Sequence, residues 1–139
     1  MLRRILLILS VILLASPTLA ADVGIVIDIS DQRMRVNVGG ERVHSWAVST
    51  GRKGYATPRG TYGVTRMYKE YYSKKYDGAP MPYAIFFRGG YAIHGTYDTK
   101  RLGRVASHGC VRLSPDHARR LYSLVNKHGS GNVTIQVRG

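Results

Sequence analysis

The sequence predicts a mostly β domain carrying a single helix, placed behind an N-terminal export signal. Three observations predict it. Short β-branched or alternating segments recur from Val23 to Val48 and again from Gly60 to Val137. Only the stretch from Ser114 to Gly129 carries both the apolar period and the caps of a helix. Residues 1–21 differ in composition from everything that follows them.

Met1-Leu2-Arg3-Arg4 is a short basic start, and Ile5 to Ala15 is an almost unbroken apolar run. Ser16 to Ala21 then supplies small residues suited to cleavage after Ala20 or Ala21. This is the three-part layout of a secretory signal peptide. The apolar run is shorter than the roughly 20 residues that span a bilayer. The expectation is a signal peptide over 1–21 and one domain over 22–139, exported to the periplasm or cell envelope, with no stable membrane span after processing. About 118 residues can bury a core without covalent staples.

Within the domain, Val23 to Ile29 is short and β-branched, a strand. Arg33 to Val38 alternates Met34, Val36 and Val38 with polar partners. Gly39-Gly40 signals a two-residue hairpin, and Glu41 to Ser49 returns with Val43, Trp46 and Val48, so the three segments form a meander. Thr50 to Pro58 is a loop, and Gly60 to Arg66 is the next strand. Met67 to Pro82 breaks the pattern: Tyr68, Tyr71, Tyr72 and Tyr76 interleave with Lys69, Lys74 and Lys75. It reads either as a lid over a site or as a solvated surface hairpin. Such interleaving also suits single-stranded nucleic acid, a partner that export argues against.

Tyr83 to Arg88 and Tyr91 to His94 are two more strands around Gly89-Gly90, and Gly95 to Gly109 is a long connection. Ser114 is the N-cap of the helix, with Pro115 at its first position and Asp116 in its first turn. Ala118, Leu121, Tyr122 and Val125 form its apolar stripe, and Gly129 to Gly131 ends it. Val133 to Val137 is the closing strand.

The chemistry concentrates around Cys110, the one cysteine of the chain. It cannot form an internal disulfide, so it is buried and inert, paired with another chain, or reactive. Its neighbours are Ser107-His108-Gly109 before it and Val111-Arg112-Leu113 after it. An imidazole can take the thiol proton or, as imidazolium, stabilise a thiolate; His108 and His94 are both candidates. Gly109 permits a turn whose backbone N–H groups converge on an oxyanion. Arg112 could hold a carboxylate in a bidentate fork. A packed turn without chemistry is the plain alternative. A metal held by His94, His108 and Cys110 is disfavoured, because structural zinc usually has four ligands in recognisable pairs. His44 and His117 read as ordinary surface residues, and His128 suits the negative end of the helix.

Ala92-Ile93-His94-Gly95-Thr96, then Leu102-Gly103, then Ser107 to Leu113 and Asp116 with Leu121-Tyr122, resembles the signature of the L,D-transpeptidase (YkuD-type) catalytic domain. Ser49-Thr50-Gly51 with Thr57-Pro58-Arg59-Gly60 is similar to the same family's S-T-G and T-P-x-G stretch. The resemblance runs from about Val23 to Val137. It implies a β-sandwich-like domain with a short helix beside the active site, acting on bacterial peptidoglycan. A cysteine would attack a stem-peptide carbonyl at the third residue, commonly diaminopimelate, expel the terminal D-alanine and pass the acyl group to an amine. By position Cys110 would be the nucleophile and His94 the base and acid. The carbonyl of Gly95 would orient that imidazole. His108, Gly109 and Cys110 would supply an oxyanion hole, and Ser107 and Arg112 would shape the site and contact substrate. No cofactor or metal is expected.

The expected function is therefore a peptidoglycan L,D-transpeptidase, acting on stem peptides with no nucleic-acid partner, and with an envelope protein as an alternative acyl acceptor. A hydrolase of the same fold, releasing D-alanine or a wall-linked protein, is the nearest rival. A non-catalytic wall-binding domain is a rival of another class, which has no need of an activated thiol. Many relatives carry a wall-binding module such as LysM, for which this chain has no room. With Arg3 and Arg4 in the leader, 19 of the 21 Lys and Arg remain against 8 Asp and Glu, a charge of +11. That charge is expected to hold the domain on the anionic wall, through a basic face of Arg52, Lys53, Arg59, Lys69, Lys74 and Lys75 beside Cys110.

Overall fold

Alternation gives each strand one apolar face, and the structure stacks two sheets on those faces. This computed structural model describes residues 11–14 and 22–139. Apart from 11–14, the signal-peptide segment 1–21 lies outside the described residues. The strands are β1 (Val23–Asp28), β2 (Arg33–Val38), β3 (Glu41–Ala47), β4 (Gly60–Tyr62), β5 (Arg66–Tyr68), β6 (Ala84–Arg88), β7 (Tyr91–Gly95), β8 (Val111–Leu113) and β9 (Val133–Arg138). One sheet has the order β3-β2-β1-β9-β4 and the other β5-β6-β7-β8.

The first three strands form the expected antiparallel meander, with Gly39-Gly40 joining Val38 to Glu41. β9 lies parallel to β1, with Ile135 opposite Ile25, and antiparallel to β4. In the second sheet β7 and β8 are parallel, a pairing that requires a long crossover. Residues 96–110 supply it.

Three features differ from the sequence expectation by more than one residue at a strand end. The single strand expected over Gly60–Arg66 is two strands in different sheets, with residues 63–65 crossing between them. Both the N–H and the hydroxyl of Thr65 bond the carbonyl of Phe86, which starts the new pairing. Alternation reports a strand's faces but not its change of partner. β3 ends at Ala47, because Ser49 pairs with Arg112 rather than continuing along β2. β8 went unread because three residues are too few to display a period.

The core lies between the sheets. Ile25, Ile27, Val36 and Ile135 meet Ile85, Phe87, Ile93, Val111 and Leu113 there. Helix α1 (Pro115–His128) adds Ala118, Leu121 and Val125. Each large side chain so buried contributes about 1.5–3 kcal/mol. Ser114 caps the helix by accepting the His117 N–H at 3.2 Å, and the Gly129 N–H closes it on the Val125 carbonyl. His44 and His117 are not idle on the surface. Both stack on Trp46, at 4.3 and 4.8 Å between ring centroids, and so tie β3 to the helix.

Candidate active site

Strand parity assembles the site. Ile85, Ile93 and Val111 point into the core, so their odd-numbered-step neighbours Phe86, Ala92, His94 and Arg112 emerge on the outer face of the second sheet. Register places Arg66 beside Phe86, Phe86 beside Ala92, and His94 beside Arg112. Cys110, the residue before β8, packs against a small buried cluster of Met81, Ala84, Phe86 and Ala92. Cys110, His94, His108, Ser107 and Arg112 all line one cavity of about 690 Å³.

The turn carrying Cys110 is fixed from several sides. The Ser107 hydroxyl donates to the Cys110 carbonyl at 2.5 Å and accepts the Gly109 N–H at 3.0 Å. Gly109 has φ +120°, and a Cβ there would sit 2.6 Å from Cε1 of Tyr91, so only glycine fits. The Thr57 hydroxyl donates to the Gly109 carbonyl at 2.8 Å and accepts the Gly51 N–H at 3.0 Å. The Thr50 carbonyl takes the N–H groups of Ala106 and Ser107, and Ser49 exchanges two backbone bonds with Arg112. Gln32, buried, donates to the Thr50 hydroxyl at 2.7 Å and accepts the Thr50 N–H at 2.9 Å. The S-T-G stretch is thus a brace behind the cysteine turn. Ser107 thus holds the Gly109 N–H, whereas the N–H groups of His108 and Cys110 make no hydrogen bond among the described residues.

His94 is buried, and its Nδ1 lies 2.7 Å from the Gly95 carbonyl. A carbonyl only accepts, so Nδ1 carries the proton and Nε2 is the free basic nitrogen. Burial pushes its pKa down to about 4, helped by the charge of Arg112 and opposed by the Gly95 bond. Burial likewise raises the Cys110 thiol, with Ala92 and Arg112 only partly opposing it. The sulfur sits 3.7 Å from the Gly90 carbonyl, its hydrogen-bond acceptor. Both shifts favour the neutral forms, a thiol and an imidazole. Gly95 has a second constraint: a Cβ would lie 3.1–3.3 Å from Pro82, Pro115 and Ala118, so its absence lets the helix close on the site.

His108 is placed differently. Its ring stacks on Tyr76 at 4.2 Å and meets the edge of Tyr55 at 5.0 Å. Burial lowers its pKa first, with Arg52, Arg112 and Lys75 adding to the effect. Tyr76 belongs to the tyrosine-rich segment, which is an irregular hairpin bridged at Tyr72 and Pro80. The hairpin's tip, residues 73–77, lines the same cavity. It is a surface hairpin whose tip walls one side of the cavity.

Of the basic face expected beside Cys110, Lys74 and Lys75 line the cavity. Arg52 stands over the Tyr55 ring, Lys53 is exposed, and Lys69 lines a separate groove of about 560 Å³. Arg59 turns away to the Gly139 carbonyl, since the neighbouring β4 pairs with β9. Sequence reasoning missed Arg66, which lines the cavity, and the bracing roles of Gln32 and Thr57. Among the described residues no three His, Cys, Asp or Glu side chains are grouped to hold a metal.

Known proteins share the fold and the family pattern of this chain. The model of the L,D-transpeptidase catalytic domain (YkuD) matches residues 22–135. YciB of Bacillus subtilis (strain 168), provisionally named an L,D-transpeptidase, is 28% identical over 117 residues, covering 73% of this chain and 60% of its own. An L,D-transpeptidase from Mycobacterium smegmatis superposes with a TM-score of 0.75 at 26% identity, over 86% of this chain and 59% of that one. L,D-transpeptidase 3 from Mycobacterium tuberculosis, solved with a faropenem-derived adduct, gives 0.74 at 25% identity, over 86% and 61%. The chain thus spans about three fifths of the length of these relatives. Its two stacked sheets, its helix and its cysteine turn make it a member of the L,D-transpeptidase catalytic-domain family.

Proposed function

We propose that this chain is an exported peptidoglycan L,D-transpeptidase that uses Cys110 as its nucleophile. The observation that carries the reading is His94, whose tautomer is set by Gly95 and which lines the same cavity as Cys110. As the sulfur attacks the carbonyl of the third stem residue, Nε2 takes the thiol proton. The carbonyl oxygen becomes an oxyanion beside the N–H groups of Cys110 and His108. Collapse breaks the peptide bond, and His94 returns the proton to the departing amine of D-alanine. A thioester remains on Cys110. An acceptor amine, from a second stem peptide or an envelope protein, loses its proton to His94 and displaces the sulfur, which regains a proton.

Incubating the protein with tetrapeptide-bearing muropeptides and weighing the products tests this directly. Release of D-alanine with a cross-linked or amine-exchanged product is expected, and release by water alone would make it a hydrolase. Cys110→Ala is expected to abolish turnover while leaving the melting temperature unchanged, and to lose the mass shift that a carbapenem gives the wild-type protein. Near-normal turnover by Cys110→Ala would refute the covalent route.

A further inference from the structure

The reaction above leaves Arg66 unused. Arg66 stands on β5, one edge of the four-stranded sheet, and Arg112 stands on β8, the opposite edge. Parity and register put both on the face that carries His94. Strands lie about 4.8 Å apart, so the two edges are separated by about 14 Å, the length of about four residues of extended peptide. The Arg66 guanidinium carbon lies 4.1 Å over the ring of Phe86. Phe86 in turn belongs to the buried cluster on which Cys110 packs. The ring holds the guanidinium flat and in place, so little further ordering is needed when an anion binds.

Neither arginine is neutralised. Ion pairs among the described residues involve only Arg35, Arg101, Arg119 and Arg120 on the basic side. The cavity is lined by five Lys and Arg against two Asp, and one of those, Asp98, is bound by Arg101. A guanidinium offers only donors. A carboxylate answers it with two acceptor oxygens and a charge, whereas a carboxamide offers one acceptor and presents N–H groups of its own.

We propose that Arg66, acting with Arg112 across the sheet, selects donor peptides with free carboxylates over the carboxamide forms of the same peptides. The inference rests on the stem-peptide reading above and names which chemical form of that peptide the site takes. Arg66 is a specificity determinant here and has no part in bond making.

The test uses the full chain carrying Cys110→Ala and two tetrapeptides of one sequence. One keeps free carboxylates on its second and third residues, and the other has them amidated. Calorimetric titration at low salt is expected to show the carboxylate form binding about tenfold more tightly, equivalent to about 1.4 kcal/mol. Adding Arg66→Gln brings the ratio to about twofold or less, and Arg66→Lys keeps part of it. A merely structural role would weaken both peptides alike and leave the ratio unmoved. Equal affinities, a preference for the carboxamide, or a ratio that survives Arg66→Gln would overturn the proposal. D-alanine release is measured separately on protein that retains Cys110. Selective binding without that release upholds the role of Arg66 and overturns the transpeptidase reading instead.

Discussion

The floor of the site and the hairpin above it are held by different forces. The floor is a lattice of buried hydrogen bonds: Gln32 to Thr50, Thr50 to Ser107, Thr57 to Gly109, and Ser107 across its own turn. The hairpin is held by its own short backbone bonds and by rings: Tyr76 on His108, and Tyr71 with Tyr68 against Phe86. Buried polar networks fix distances closely and fail expensively when one partner is lost. Ring stacking on a half-open cavity tolerates sliding and costs about 0.5–1.5 kcal/mol to break. The turn that carries Cys110 sits on the first kind of support, and the hairpin tip that walls the cavity sits on the second.

Substitutions separate the two supports, and the largest effect is expected in the floor. His94→Ala is expected to slow acylation by about 10²–10⁴-fold through loss of the general base, read as the rate of D-alanine release or of carbapenem adduct formation. Because His94 has a pKa of about 4 rather than 6.5, the acid limb of kcat/KM in the wild-type protein is expected near pH 4. The sign for stability follows from the same shift. The unfolded chain takes up this proton first as pH falls below 6.5, so His94 draws stability down between pH 6.5 and about 4. An acid limb near pH 6.5 would mean a histidine in contact with water.

Thr57→Val tests the lattice one step away from the chemistry. It keeps the shape but leaves the Gly109 carbonyl and the Gly51 N–H without their partner. A stability loss of about 1–3 kcal/mol is expected by thermal melting, with kcat reduced about tenfold and KM little changed. Tyr76→Ala is expected to be the mildest: KM raised a few-fold, kcat and the melting temperature nearly unchanged. A large fall in kcat for Tyr76→Ala would erase the distinction between floor and cover.

Much of this arrangement is legible in the sequence where it depends on local pattern. The meander through Gly39-Gly40, the Ser114-Pro115 helix start and the Ala118, Leu121, Val125 stripe are short-range features, and each stands where the pattern puts it. The site residues around Cys110 are legible because they are consecutive. What was hidden depends on partners far apart in the chain. Thr57 meets Gly109 across 52 positions, and Gln32 meets Thr50 across 18. Arg66 is one basic residue among many until register sets it beside Phe86. The change of sheet between β4 and β5 is hidden for the same reason, since the flanking residues alternate without naming their neighbour.

The place of β9 has a consequence for how the domain comes into being. It is the last strand of the chain, yet it lies inside the five-stranded sheet, between β1 and β4. β4 has no other neighbour in that sheet, and Thr57 lies just ahead of β4. Until residues 133–138 are made and docked, β4 has no edge to join, and the hydroxyl that steadies Gly109 hangs on an unanchored segment. Pairing between such distant parts of a chain is slow, because loop closure comes before the contacts that reward it. The turn that carries Cys110 therefore gains its Thr57 brace only once the last strand has docked.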